Sequence, residues 1–377
     1  MISYWEKDIF AQADFIVIGA GIIGLSTAIS LRMRHKKAKV LVLERGTFPT
    51  GASTRNAGFA CFGSLTELAA NIKEWGEDTT YTMVEKRKKG LEFLRNRLGS
   101  DEACGYEQFG GYELITEQQM PHLEALHNMN TMLTPLFGES PFIDHSAYRQ
   151  RFGFGDTVAA LLYCPYEGQI HSGRTMSSLA LYAKQMGVEI LYGVNVQSLC
   201  SDDKGVDLEV HIAPLHSHSS LRANYVAVCT NAMIPQLLPG TSIVPGRGQV
   251  LITSPIEGLL FRGVFHYDEG YYYFRNVGNR ILLGGGRNID FAAEQTYDFS
   301  VTDTIQYALE ALLRQVILPD CEYRIEQRWS GTMGFSDTKL PIVRFANQRI
   351  AIGFGCNGMG VALGSIIGEE TANLFDQ

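Results

Sequence analysis

The stretch Phe15-Ile-Val-Ile-Gly-Ala-Gly-Ile-Ile-Gly-Leu-Ser-Thr-Ala28 decides the fold. Its four leading apolar residues, Phe15 to Ile18, read as a buried strand, and a helix begins near Ile22 after a glycine turn. Gly19, Gly21 and Gly24 have the spacing of a dinucleotide fingerprint. The first glycine permits a tight turn, the second lets backbone approach a pyrophosphate, and the third lets helix pack close on strand. Ala20, Ile22 and Ile23 fill the turn, and the helix start presents free N–H groups and a positive dipole end to a diphosphate. A second apolar run, Val40 to Leu43, ends in Glu44, 20 residues after Gly24. An acid at that place is set to bind the hydroxyls of an adenosine ribose. This part of the chain is expected to bind a dinucleotide.

The remaining composition narrows the class. A chain of 377 residues, 45% hydrophobic and 19% charged, has room for two packed domains and the balance of a globular protein. No apolar run is long enough to span a bilayer, and the polar N-terminus lacks a signal-peptide core. A net charge of −8 argues against nucleic acid as a partner. The seven cysteines are scattered without a C-x-x-C pair, so they read as reduced thiols of a cytoplasmic protein. The nine histidines form no H-E-x-x-H cluster, and no metal site is expected.

After Glu44 comes a second small-residue loop, Gly51-Ala52-Ser53-Thr54-Arg55-Asn56-Ala57-Gly58-Phe59. Ser53, Arg55 and Asn56 supply hydroxyl, guanidinium and amide donors that can wrap a diphosphate; a polar surface loop is the plainer reading. Such a loop disfavours a nicotinamide-only dehydrogenase. Residues 65 to 98 read as helix, with the basic run Glu85 to Lys89 on its solvated side and Gly99 closing it. Tyr106 to Ile115 alternates like strand around Gly110-Gly111, and Glu117 to Leu133 reads as helix again.

A helix from Ser172 to Met186 leads into a strand, then an edge where backbone at Val196 can meet an adenine. His216 and His218 read as exposed loop. Thr230, Asn231 and Ala232 follow the last strand of this half, beyond whose carboxyl end ligands lie in an open parallel sheet. From Gly246 the pattern turns antiparallel, with Tyr271-Tyr-Tyr-Phe-Arg275 paired to Arg280-Ile-Leu-Leu across a Gly278-Asn279 turn. Tyr271 and Tyr273 share a strand face, so they line one cavity or else belong to the sheet core. His266 is a pocket residue or a structural histidine. A terminal helix, Val361 to Phe375, carries Gly364 and Gly368 on one flat face suited to close packing. The two halves are thus interleaved: 1–61, 151–245 and 334–377 for the nucleotide, 62–150 and 246–333 for the substrate.

Four segments together resemble the family of D-amino-acid, glycine and sarcosine oxidases, which bind FAD. They are the fingerprint with Glu44, the Gly51–Gly58 loop, Pro245-Gly-Arg-Gly-Gln249, and Gly353-Phe-Gly-Cys-Asn-Gly-Met-Gly360. Arg55-Asn-Ala-Gly and Trp329-Ser-Gly-Thr are most similar to the branch that oxidises amines such as γ-glutamylputrescine. The resemblance implies an α/β fold, α+β overall, with a Rossmann-like FAD domain interleaved with a substrate domain built on a large antiparallel sheet.

It also implies site residues. Arg55 would lie near the pyrophosphate, Arg45 beside the adenine, and Ala57 to Phe59 along the flavin. Gly331 and the turn Gly355-Cys356-Asn357-Gly358-Met359-Gly360 would complete the cofactor site. A glycine-rich turn entering a helix aims N–H groups at its ligand, here the N1/C2 side of a flavin.

Two departures stand out. Met333 occupies the place of the family's carboxylate-binding arginine, and a thioether forms no bidentate clamp; Arg275 and Arg280 are candidates to replace it. The family's flavin-linking cysteine is absent from Thr332-Met-Gly-Phe-Ser336, and its oxygen-activating lysine falls near Leu282. FAD is therefore expected without a covalent bond, although Cys356 and Cys61 lie in cofactor motifs, and the acceptor is oxygen or another molecule. The expected reaction is hydride transfer from the carbon of a C–N bond to the flavin, giving an imine. The alternatives are an amino-acid oxidase or dehydrogenase with a displaced carboxylate anchor, and a flavoprotein that has lost catalysis and serves as a binding partner.

Overall fold

The strand Gln12–Ile18 is buried along most of its length, and its neighbours on both sides run parallel to it: Val40–Glu44 and Ser217–Val228. In the computed structural model, which describes residues 3–213 and 216–376, this trio is the centre of the first sheet. Glu189–Tyr192 extends the sheet on one side and Ile350–Phe354 on the other, both parallel. Ile342–Phe345 and the polar hairpin strands Val194–Asp202 and Gly205–Ile212 add antiparallel pairings. His218 belongs to the strand of this hairpin, exposed as expected but outside the turn, and only His216 occupies the turn. Fully buried strands with helices on their faces are what parallel pairing requires.

The fingerprint helix, Ile22–Arg34, and the terminal helix, Gly360–Asn373, lie against each other. Glycine permits it: a Cβ at Gly364 would sit 2.4 Å from Ile22 Cγ2, and one at Gly368 would sit 2.5 Å from Ser26 Cβ. The flat face read from the sequence is used in full.

The second sheet has eight strands in the order Ile325–Ser336, Ile243–Thr253, Arg280–Gly285, Tyr272–Val277, Val264–Tyr267, Gly111–Thr116, Val158–Cys164, Ile143–Asp144. It is antiparallel except where Val264–Tyr267 pairs in parallel with Gly111–Thr116. This sheet overturns one boundary. Val158–Cys164 pairs with Gly111–Thr116, so the residues just after 151 belong with the second sheet, not the nucleotide half. The strand Ile325–Ser336 likewise runs past residue 333. A short apolar strand reads the same in either sheet, and only pairing decides.

Three local expectations also change. The long helix is two, Leu65–Trp75 and Glu77–Leu98, divided at Gly76, whose φ of 83° a helix cannot hold. Before Gly111 the chain makes only an isolated bridge, Glu107 with Gln169. The segment from Glu117 begins as a 3-10 turn over Glu117–Ala125 and becomes α-helical at Leu126–Phe137. Among the described residues, no helix is long and apolar enough to cross a membrane.

Candidate active site

A cavity of about 550 Å³ opens between the carboxyl ends of the parallel strands and one face of the second sheet. Its size is that of a ligand pocket. Every cofactor residue expected from the sequence lines it except Ala20, Gly24 and Gly355. Those three have structural work. A Cβ at Gly24 would lie 1.9 Å from Gly19 O, so this glycine joins helix to strand. Ala20 is fully buried and donates its N–H to Glu44 Oε2 at 3.0 Å. Gly355, with φ of 137°, lies against Pro341.

At the nucleotide end, backbone and short side chains are already in place. Glu44 is buried, and its second oxygen accepts Gly46 N–H at 2.9 Å, which aims the carboxylate across the strand ends. Ser53 Oγ accepts the Ile22 N–H at 3.0 Å. The next N–H groups of the helix have no intrahelical acceptor and remain for an anion. Val196 lines the cavity beside Asn195, and Arg45 is exposed at its edge. Thr230 Oγ1 and Thr332 Oγ1 line the same cavity, buried and without a partner. Unsatisfied hydroxyls in the wall of the cavity fit a polar ligand.

Two donors expected at the pyrophosphate are committed elsewhere. Arg55 donates to Ser330 O at 2.8 Å and lies over the Phe299 ring at 4.7 Å. Asn56 binds the carbonyls of Ala52 and Ser53 and accepts from Gly58 N–H and Ser172 Oγ. Of the three side chains in this loop expected at the diphosphate, Ser53 is the one bonded to the glycine turn. Asn231 and Asn357 line the cavity while tying it to the strand Ile325–Ser336, through Gly334 N–H and Ser336 N–H respectively.

Neither arginine expected to replace the carboxylate anchor reaches the cavity. Arg275 is buried, donates to Ala57 O and Ile170 O, and burial lowers its pKa to about 10. It is a staple for the Arg55–Gly58 loop. Arg280 faces outward, donating to Thr253 O and pairing with Glu326.

Arg287, which the sequence reading passed over, lines the cavity together with Arg45, Arg55 and Arg87. It follows the Gly284-Gly285-Gly286 run at the end of its strand. Its guanidinium lies 3.9 Å from the Phe335 ring centroid and 4.9 Å from that of Phe291. Among the described residues it has no carboxylate partner and donates no side-chain hydrogen bond. Burial lowers its pKa, against the opposing pull of Tyr271, Glu294 and Tyr273. Gly246 makes the room, since a Cβ there would lie 2.8 Å from an Arg287 nitrogen. Gly246 pairs with Met333 across the sheet, so the guanidinium stands beside the place where the family's arginine was missed.

Tyr273 lines the cavity, and burial pushes its hydroxyl pKa up to about 12. Tyr271 also lines it, but from the turn before the strand rather than from the strand itself. Phe59 stands edge-on to both His266 and Tyr273, at 5.4 and 5.6 Å. His266 lines the cavity with Cys61, and Glu167 is buried behind them. Burial by itself would lower the His266 pKa, but Cys61 and Glu167 outweigh it and hold the imidazole well above its usual value. Arg87, expected in solvent, is buried: it holds Phe62 O at 2.7 Å and Glu67 at 2.9 Å.

A dinucleotide cradle and a sheet-built pocket sharing one cavity define a two-part, dinucleotide-dependent enzyme. Residues 14–374 match the family described as FAD dependent oxidoreductase (DAO), and the chain belongs to that family, with FAD as its cofactor. It is 24% identical to a probable oxidoreductase OrdL of Haemophilus influenzae, over 96% of this chain and 82% of that one. It is also 24% identical to the bifunctional protein ThiO/ThiG of Trichormus variabilis, covering 93% of this chain but 51% of that protein. The solved glycine oxidase of Geobacillus kaustophilus shares the fold, with a TM-score of 0.77 at 20% identity, over 97% of this chain and 95% of that one.

Proposed function

We propose that this protein oxidises the C–N bond of an amine that carries a carboxylate, and that Arg287 holds the carboxylate. The observation that carries this reading is the unpaired guanidinium of Arg287, half-buried between two phenylalanine rings and lining the cavity. An arginine fork matches a carboxylate bidentately, and a partly desolvated one gains most from an anionic partner. The name of one relative, glycine oxidase, accords with an amino-acid-like substrate.

FAD, when bound, accepts the hydride and so supplies the redox chemistry. The chain's own residues orient the substrate. Arg287 fixes one end, and Tyr273 keeps its proton at neutral pH as a hydrogen-bond donor. Phe59 walls the pocket beside the loop that Arg275 staples. Gly19 to Ile23, Glu44, Ser53, Thr230 and the Cys356–Gly360 turn are the residues we assign to the cofactor. The binding is non-covalent in this reading, because burial raises the thiol of Cys356 to about 12 and that of Cys61 above its ordinary value, which leaves little thiolate to attach. Leu282 packs with Ala57 and Val250 at the place of the oxygen-activating lysine, which favours an electron acceptor other than oxygen. The free cysteines accord with a cytoplasmic setting.

The test is anaerobic bleaching of the flavin band with matched pairs: sarcosine against dimethylamine, and L-proline against pyrrolidine. Bleaching by the carboxylate-bearing member of a pair alone supports the reading. Bleaching by both members equally removes the carboxylate, and bleaching by neither, across a panel of D- and L-amino acids, favours the non-catalytic alternative. Acid precipitation should leave the yellow colour in the supernatant; colour in the pellet contradicts the non-covalent assignment.

A further inference from the structure

Cys61, Glu167 and His266 come from three separate elements, yet one ligand atom of each lies within 4.8 Å of the others. Cys61 follows the strand Phe59–Ala60, Glu167 follows Val158–Cys164, and His266 sits within Val264–Tyr267. They are 3%, 2% and 6% exposed. His266 Nε2 stands 3.5 Å from Glu167 Oε2 and has no hydrogen-bond partner. That separation is long for a hydrogen bond. It is the spacing of two ligands on one tetrahedral ion, roughly 3.3–3.8 Å for bonds of about 2.0–2.3 Å. Phe62 N–H holds the other Glu167 oxygen at 2.8 Å and so turns Oε2 toward the imidazole. Gly111 leaves the space, since a Cβ there would lie 1.8 Å from Oε2.

We propose that this trio is a binding site for a divalent cation of the zinc class. Sulfur, imidazole nitrogen and carboxylate oxygen are the donors that ion takes, and thiolate plus carboxylate balance its charge. The cation displaces the protons of Cys61 and His266, so its affinity falls as pH falls. Three protein ligands leave a fourth position, and because Cys61 and His266 line the cavity, that position faces it. The scattered sequence spacing hid the site, because no two of its ligands share a local motif. The assignment does not depend on the reaction proposed above.

The test uses the flavin-loaded protein, stripped with chelator and equilibrated with zinc ion before elemental analysis. We expect one zinc per chain, with affinity weakened more than about tenfold in Cys61→Ala and in His266→Gln, since losing even an outer-shell partner costs roughly 10–100-fold. Absence of stoichiometric zinc overturns the site. So does zinc retained by both variants, which places it elsewhere, as at the pair His211 and His218, whose rings are 5.2 Å apart. Should the variants fail to fold, alkylation of the wild type decides. Zinc should slow iodoacetamide labelling of Cys61 and leave the exposed Cys200 unchanged; an unprotected Cys61 means that the trio only shares protons.

Discussion

The two ends of the cavity are built on opposite plans. At the nucleotide end the side chains that shape the turn are fixed within the chain, since Glu44 takes two backbone N–H groups and Ser53 a third, while glycines set the spacing and helix N–H groups stay open. At the substrate end a guanidinium lies between aromatic rings with no partner, near a buried phenol and a thioether. The first end is a finished cradle that receives one shape of ligand. The second keeps an unpaired charge, which in the proposed function the substrate's carboxylate completes.

The sharpest way to break the comparison is at the third fingerprint glycine. Gly24→Ala would place a methyl 1.9 Å from Gly19 O, a backbone atom that cannot yield. Protein recovered from this variant should carry almost no flavin by its absorbance ratio; full loading with an unchanged melt would show that the cradle is not rigid. Glu44→Ala comes next. Losing hydrogen bonds to a charged group costs roughly 1.5–3 kcal/mol, so FAD should dissociate about ten- to a hundredfold more readily. Unchanged affinity by fluorescence titration would take Glu44 out of the site.

A reactivity measurement, with no variant needed, tests the chemistry of the shared wall. With its pKa raised to about 12 by burial, Cys356 stays protonated until pH approaches that value. Its labelling by iodoacetamide should trail an ordinary exposed thiol by about a thousandfold at pH 8 and rise with pH. Comparable rates at pH 8 would mean that the turn stabilises a thiolate after all. Smallest of all is Lys339→Ala, which removes a solvent-exposed ion pair with Glu74 at 2.7 Å. Such pairs are worth less than about 1 kcal/mol, so the melting temperature should fall by under about 3 °C.

How far the sequence could be read follows the same division. Backbone requirements leave glycines at fixed spacings, and the fingerprint, the Gly364/Gly368 face and the Gly278 turn were all legible. Pairing and side-chain direction leave no such mark. Val158–Cys164 is as apolar as a parallel strand, and only its ladder with Gly111–Thr116 places it in the second sheet. Arg87 is hidden in a basic run, although it alone of the run's cations is buried. Arg275, Arg280 and Arg287 are equivalent letters in and just after one hairpin. One staples a loop, one faces solvent, and one lines the cavity.

Arg287 therefore carries the central claim, and an anaerobic titration of wild type and Arg287→Met with a matched substrate pair tests it most directly. Take L-proline and pyrrolidine, or the pair that best reduces the wild-type flavin. Removing one partner of a buried charge pair costs roughly 2–4 kcal/mol, so the preference for the carboxylate-bearing member should fall by about 30- to 1,000-fold. Flavin content should stay at the wild-type level, because Arg287 lies at the end of the cavity that the cofactor's phosphates do not reach in this account. A variant that keeps both its flavin and its full carboxylate preference would contradict the assignment.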